Sequence, residues 1–146
     1  MSYHVRNCSL HHYVFSTKNR VAAIREDMQA RLWAYMGGIA RSNNMKALAV
    51  GGIADHCHIL LSLPPTMSVA KAIQLVKSGS SKWMHDETAS RRFEWQEGYG
   101  AFSIGASQVP ATVRYILNQP RHHKRRRFDD EWKIILKRHA DFMDEH

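Results

Sequence analysis

Two histidines stand on either side of a cysteine in the segment His56-Cys57-His58. If this segment is a β-strand, residues i and i+2 point to the same face, so both imidazoles project together while Cys57 points toward the core. Two adjacent imidazoles can bind a divalent metal ion. The chain contains ten histidines, so roughly one His-x-His pair is expected by chance, and the motif alone has a high rate of false matches.

A tyrosine and a glutamine are four positions apart in the segment Tyr115-Ile-Leu-Asn-Gln119. The hydrophobic spacing predicts a helix, and residues i and i+4 of a helix lie on one face, one turn apart. On periodicity alone, the simpler interpretation is an amphipathic helix with Tyr115 packed in the core.

Hydrophobic periodicity and turn residues predict the elements that position these side chains. Ser68 is the expected N-cap of the second helix, and Pro120 is the expected end of the third. The predicted strands are residues 9–17, 46–52, 56–63 and 99–107. The predicted helices are residues 25–42, residues 68–87, a third that Ser107 or Gln108 caps and that ends at Pro120, and a last one that begins at Asp129 or Asp130.

The order β-α-β-β-α-β-α-α is typical of an α+β fold with an antiparallel sheet and the split β-α-β topology of ferredoxin-like and RNA-recognition-type domains. Two helices would cover one face of the sheet. The tyrosine helix would follow the last strand, and the other face would be left for a partner or for the late helices.

The basic residues form two clusters, Lys18-Asn19-Arg20 and the run of residues 121–127. The formal net charge of +8 in a chain of 146 residues favours a polyanionic partner. A solvated charged face is the alternative. An anionic membrane surface is disfavoured because no basic amphipathic helix with an aromatic apolar face stands out. Nucleic acid is therefore the preferred partner.

The chain shows no internal repeat or linker, which predicts one domain over residues 1–146. No stretch approaches the roughly 18 apolar residues of a membrane-spanning helix, and the first residues do not resemble a signal peptide, so a cytoplasmic protein is expected. Cys8 and Cys57 are expected to be reduced, and their spacing disfavours zinc bound by thiolates.

Several segments, taken in order, resemble the IS200/IS605-like tyrosine transposases, a family of the HUH (His-hydrophobic-His) single-strand nucleases that includes transposases associated with repetitive extragenic palindromes (REP). The matching segments are residues 14–20, 56–58, 95–103, 115–119 and 118–131. The resemblance extends over nearly the whole chain, from about residue 9 to about residue 140. Several ordered motifs are far more specific than any one of them.

The resemblance implies a role for each matching residue. His56, His58 and Gln119 would be the metal ligands, and Tyr115 would be the nucleophile that forms a 5′-phosphotyrosine link. It further implies Mg²⁺ or Mn²⁺ as cofactor, a single-stranded hairpin DNA at the ends of the element, and a homodimer, although some REP-linked relatives act as monomers. No membrane partner and no nucleotide cofactor are expected.

Proteins that bind single-stranded DNA combine a basic groove with stacking aromatic residues. The candidate phosphate-binding residues are Lys18, Asn19, Arg20, Lys77, Lys82, Arg121, Lys124, Arg125, Arg126 and Arg127.

Three alternatives stay open at the level of the sequence. A replication initiator or plasmid relaxase of the HUH type would share the histidine pair and the tyrosine. A non-catalytic nucleic-acid-binding module would share the fold and the charge. A hydrolytic metalloenzyme acting on small molecules would share the metal site but would not need the basic run.

Overall fold

The structure is a computed structural model that describes residues 5–122, 128–140 and 143. Its strands are β1 (Leu10–Ser16), β2 (Lys46–Ile53), β3 (His56–Ser62) and β4 (Gly100–Ile104). Its helices are α1 (Glu26–Ser42), α2 (Val69–Thr88), α3 (Val109–Leu117), α4 (Gln119–His122) and α5 (Phe128–His139).

The four strands form one antiparallel sheet in the order β2-β3-β1-β4. This is the strand order of the split β-α-β fold, so the predicted fold class is confirmed. Strands β3 and β1 lie in the centre, and His58 pairs with Val14 on one side and with Gly51 on the other. The histidine motif therefore lies on a central strand, at the beginning of that strand.

Helices α1 and α2 cover one face of the sheet because each has an apolar stripe with helical spacing. Met28, Leu32 and Met36 of α1 are buried in the core between these helices and the sheet. Helix α2 begins where predicted, since the Ser68 hydroxyl accepts a hydrogen bond of 3.0 Å from the Lys71 backbone N–H.

Helices α3 and α5 pack on the opposite face of the sheet. Ile116 of α3 lies against Ala49 and Leu60, whereas Ile135 of α5 packs with Val14 and Phe102. The late helices therefore cover much of the face that the sequence left open, and the histidine motif lies beneath them.

The structure corrects two predicted boundaries. The last strand ends at Ile104 and is followed by a 3₁₀ turn at Ala106–Gln108, so the predicted strand over residues 99–107 is too long. Helix α3 ends at Leu117, and Pro120 lies in the first turn of α4, where a proline lacks only an N–H that the helix does not need. Tyr115 and Gln119 thus belong to two helices separated by Asn118, not to one.

Among the described residues, no helix is both long and apolar enough to cross a membrane.

Candidate active site

Strand β3 presents His56 and His58 on the face that α3 and α5 cover, and both side chains are fully buried. Cys57 points the other way and is enclosed in the core beneath α1 and α2. Burial raises the pKa of the Cys57 thiol well above its usual range, because a buried thiolate would lack solvation. The alternation predicted for this strand is what the structure shows.

Each of the two imidazoles is engaged at its Nδ1 atom. The Nδ1 of His56 lies 2.9 Å from Oδ1 of Asp55, and the Nδ1 of His58 lies 2.9 Å from Nε2 of His12 on β1. The Nε2 atom of each ring points away from these partners, and that of His56 lies next to Gln119 of α4. Burial lowers the pKa of His12 to about 4, so this imidazole is neutral at neutral pH.

Helix α3 places Tyr115 above the histidine pair. The ring centroids of Tyr115 and His58 are 5.5 Å apart, in an edge-to-face arrangement. The Tyr115 hydroxyl donates a hydrogen bond to Oε1 of Glu131 on α5. Burial in the first place, and the bond to Glu131 in the second, raise the pKa of Tyr115 above its usual range. The phenol is therefore protonated at neutral pH.

Gln119, the first residue of α4, is fully buried beside the histidines. Its Oε1 lies 3.1 Å from Nε2 of His56, and its Nε2 donates a hydrogen bond of 2.9 Å to Glu131. The glutamine predicted as a metal ligand is therefore next to the histidine pair, although it is on a different helix from Tyr115.

The chemistry of these donors fits a divalent metal ion. His56, His58 and Glu131 each offer a ligand atom, and the three atoms lie within 4.8 Å of one another. Nitrogen and oxygen ligands bind such ions at about 2.0–2.2 Å, so small side-chain movements would close this set around one ion. Two imidazoles and a carboxylate suit Mn²⁺ at least as well as Mg²⁺, which prefers oxygen.

Two buried residues of this cluster had no role in the sequence prediction. Glu131 belongs to a segment that resembles the family, but only the packing of α5 shows that its carboxylate lies at the histidines. His12 precedes the histidine motif by more than 40 residues and reaches His58 only through the register of β1 and β3. Residue spacing within one element could not have revealed either contact, because each contact joins two separate elements.

Some of the predicted DNA-binding residues lie together. A 3₁₀ turn after β1 contains Lys18, Asn19 and Arg20. This turn and Lys77 of α2 both lie next to the loop of residues 94–98. The Lys77 ammonium donates hydrogen bonds to the backbone carbonyls of Gln96, at 2.7 Å, and Gly98, at 3.0 Å. Lys77 thus holds this loop in place.

The remaining predicted DNA-binding residues are elsewhere. Lys82 is exposed farther along α2, and Arg121 is exposed on α4. Lys124, Arg125, Arg126 and Arg127 lie outside the described residues.

Comparison with known proteins places the chain in a family. The sequence profile described as "Transposase IS200 like" matches residues 4–119. The transposase for insertion sequence element IS200 of Salmonella typhimurium is 28% identical over 105 residues, which cover 68% of this chain and 68% of that protein. Its counterpart from Salmonella typhi matches equally well.

Two solved structures share the fold. A protein from Deinococcus radiodurans R1 described as a transposase superposes with a TM-score of 0.65 at 18% identity, over 82% of this chain and 96% of the other. A REP-associated tyrosine transposase bound to a REP hairpin gives a TM-score of 0.60 at 16% identity, over 84% of this chain and 74% of the other.

The fold and the site define an α+β protein with a buried cluster of two histidines and a carboxylate, beside which α3 places a partly buried tyrosine. The chain belongs to the IS200-like transposase family.

Proposed function

We propose that this chain cuts and rejoins single-stranded DNA with Tyr115 as the nucleophile, assisted by a divalent metal ion. His56 and His58 would hold the ion together with Gln119 or Glu131. The observation that carries the proposal is the position of Tyr115, whose ring lies 5.5 Å from that of His58 in the same chain. A nucleophile beside a potential metal site is the arrangement that metal-assisted phosphodiester cleavage needs.

In the cleavage step, the proton of the Tyr115 hydroxyl leaves and the phenolate oxygen attacks the scissile phosphorus. The bond from phosphorus to the 3′-oxygen breaks, and this oxygen takes up a proton to become a 3′-hydroxyl. The downstream strand stays linked to Tyr115 through its 5′-phosphate. In the joining step a 3′-hydroxyl attacks that phosphorus and releases the tyrosine, so no nucleotide cofactor is needed.

A bound Mg²⁺ or Mn²⁺ would supply Lewis-acid stabilisation of the charge on the phosphate oxygens. The chain's own residues prepare this site. Asp55 and His12 engage the Nδ1 atoms of the two histidines, and α3 and α5 cover the cluster from bulk water. Because burial and the hydrogen bond to Glu131 raise the pKa of Tyr115, its proton must be removed before the phenolate can attack.

The surroundings of Tyr115 support a nucleic-acid substrate. A cleft of about 780 Å³ opens beside it, between β4, α3 and α5, and is lined by Gln108, Thr112, Arg138 and His139 among others. The basic turn of Lys18, Asn19 and Arg20 follows β1 at the end where Ser16 pairs with His56, and its charge suits a role in binding phosphates. A hairpin at the ends of a mobile element is the proposed target, in line with the hairpin bound by the REP-associated relative.

The homodimer expected from the resemblance stays a prediction, as does the cytoplasmic location. One chain already brings the histidine pair and Tyr115 together. Membership of the transposase family favours this function over a replication initiator or relaxase. A module that only binds nucleic acid would not need the buried cluster of His56, His58 and Glu131.

The test uses one oligonucleotide from the DNA that flanks the gene, labelled either at its 5′ end or at its 3′ end. It is incubated with the protein and Mn²⁺, Mg²⁺ or a chelator, both as single strand and as duplex. A 5′-phosphotyrosine link predicts that the 3′ label moves to the protein band, whereas the 5′ label appears in a shorter free fragment. His58→Ala should abolish both products.

Label transfer from the 5′ end, or cleavage that persists in His58→Ala with a chelator present, would contradict the proposal. Tight DNA binding without any cleavage under these conditions would favour the binding module.

A further inference from the structure

His12 makes a hydrogen bond to the histidine motif, and the resemblance to transposases assigns no role to this residue. His12 pairs with Leu60 in the register of β1 and β3, and therefore lies diagonally across from His58 on the same face of the sheet. Its side chain is 8% exposed, and its Nε2 lies 2.9 Å from Nδ1 of His58. The ring centroids are 5.1 Å apart.

We infer that His12 is a positioning residue that accepts a hydrogen bond from Nδ1–H of His58 and so presents the Nε2 lone pair of His58 to the metal ion. This inference rests on the proposed function, because it assumes that a metal ion binds at His58. A neutral imidazole carries one proton, on either Nδ1 or Nε2. Only the form protonated at Nδ1 can bind a metal ion through Nε2.

The neighbouring histidine also has an acceptor at its Nδ1, and in this structure its Nε2 lies 3.1 Å from Oε1 of Gln119. The Nδ1 of His56 lies 2.9 Å from Oδ1 of Asp55, a carboxylate oxygen that can only accept when ionised. Histidines that bind metals commonly donate their second ring N–H to a carboxylate, a carbonyl or water, which fixes the tautomer and the ring orientation. The two motif histidines are thus held by two different acceptors, one acidic and one an imidazole.

The neighbouring strand residue provides a matched control. His11 precedes His12, and its side chain lies on the other face of the sheet, near Tyr13, because side chains alternate along a strand. It therefore cannot reach His58. A replacement of His11 removes the same side chain from the same strand without touching the site.

The first measurement needs no metal. Long-range ¹H–¹⁵N spectra of the histidine rings report which nitrogen of His58 carries the proton. We expect the Nδ1–H form in the wild type and in His12→Gln, whose amide oxygen can also accept, and a shift toward the Nε2–H form in His12→Leu. His11→Gln should match the wild type. An Nε2–H form of His58 in the wild type would overturn the inference, because His12 would then be the donor.

The second measurement is the affinity of each variant for Mn²⁺ alone. Electron paramagnetic resonance reports the concentration of unbound ion during the titration. Loss of an outer-sphere partner of a metal ligand typically weakens binding about 10–100-fold. We expect a loss of this size in His12→Leu, a clear rescue in His12→Gln and no loss in His11→Gln. Backbone amide spectra identify any variant that has not folded, and His12→Gln then carries the test.

The two proposals fail in different ways. A wild type with His58 in the Nδ1–H form that does not bind Mn²⁺ would contradict the metal site and leave the tautomer-setting role of His12 standing. A wild type that binds Mn²⁺, with equal affinity in folded His12→Leu, would overturn the role of His12 and leave the metal site intact.

Discussion

Gly51 of β2 lies directly beneath the carbonyl oxygen of Ile116, the residue that follows Tyr115 on α3. A Cβ atom at Gly51 would be 2.4 Å from that oxygen, a distance that real Cβ contacts essentially never show. Gly51 also pairs with His58 across the sheet. The missing side chain therefore lets the tyrosine helix approach the strand next to the histidine motif.

We predict that Gly51→Ala lowers the rate of cleavage by about 100-fold while the fold is retained. The new methyl group must displace α3, and a shift of about 1 Å in a reacting group can cost about 100-fold in rate. DNA cleavage rates and a thermal melt check this. Gly105→Ala is the control, since its nearest neighbour would be a side-chain atom at 3.7 Å. Normal cleavage by Gly51→Ala would contradict the importance of this close packing.

The second prediction concerns the carboxylate of Glu131. It is 4% exposed and lies within metal-ligand range of both motif histidines. We expect Glu131→Gln to weaken Mn²⁺ binding by more than the roughly 10–100-fold that is typical of an outer-sphere partner, because a charged ligand is lost. Asp130→Asn removes a neighbouring, exposed carboxylate and should leave the affinity unchanged. Equal effects of the two variants would mean that Glu131 acts only through the net charge.

The arrangement within one chain leads to a third prediction. Tyr115 and His58 meet in the same chain, so a mixture of Tyr115→Phe and His58→Ala should form no more covalent protein–DNA complex than either variant alone. The complex is measured on a denaturing gel after the variants have been unfolded and refolded together. Restored activity in the mixture would show that each active site combines residues from two chains and would contradict the arrangement within one chain.

The sequence alone predicted the sheet, the first two helices and the orientation of His56, His58 and Cys57, because these features follow from local periodicity. It missed the break at Asn118 because Pro120 is the expected end of the tyrosine helix, whereas in the structure this proline lies in the first turn of the next helix. The contacts of His12 and Glu131 could not be predicted from the sequence either. They depend on strand register and on how α5 packs, and both are set by interactions between residues far apart in the chain.

Stability at high pH provides a fourth prediction, away from the active site. The hydroxyl of fully buried Tyr13 donates a hydrogen bond of 2.9 Å to the carbonyl of Val69. Burial first, and the nearby Tyr99 second, raise the pKa of Tyr13 in the folded protein. In the unfolded chain a tyrosine has a pKa of about 10. Its contribution to stability is therefore complete below about pH 10 and is lost as the pH rises further through the folded-state value.

Tyr13→Phe should lower the free energy of unfolding by about 1 kcal/mol at neutral pH, the usual net worth of one such hydrogen bond. Above about pH 10 the difference between wild type and variant should shrink, because only the wild type has this hydroxyl to ionise on unfolding. Urea unfolding across this pH range measures both effects, with Tyr35→Phe on the exposed side of α1 as the control. A difference that stays constant with pH would contradict the raised pKa.

The proposed chemistry joins Tyr115 to DNA, and locating that bond tests it directly. The protein is incubated with single-stranded substrate and Mn²⁺, digested with nuclease and trypsin, and analysed by mass spectrometry. We predict a nucleotide mass on a peptide that contains residues 115–121, where Tyr115 is the only tyrosine, and its loss in Tyr115→Phe. A nucleotide on any other residue, or an adduct that survives in Tyr115→Phe, would contradict the role of Tyr115 as the nucleophile.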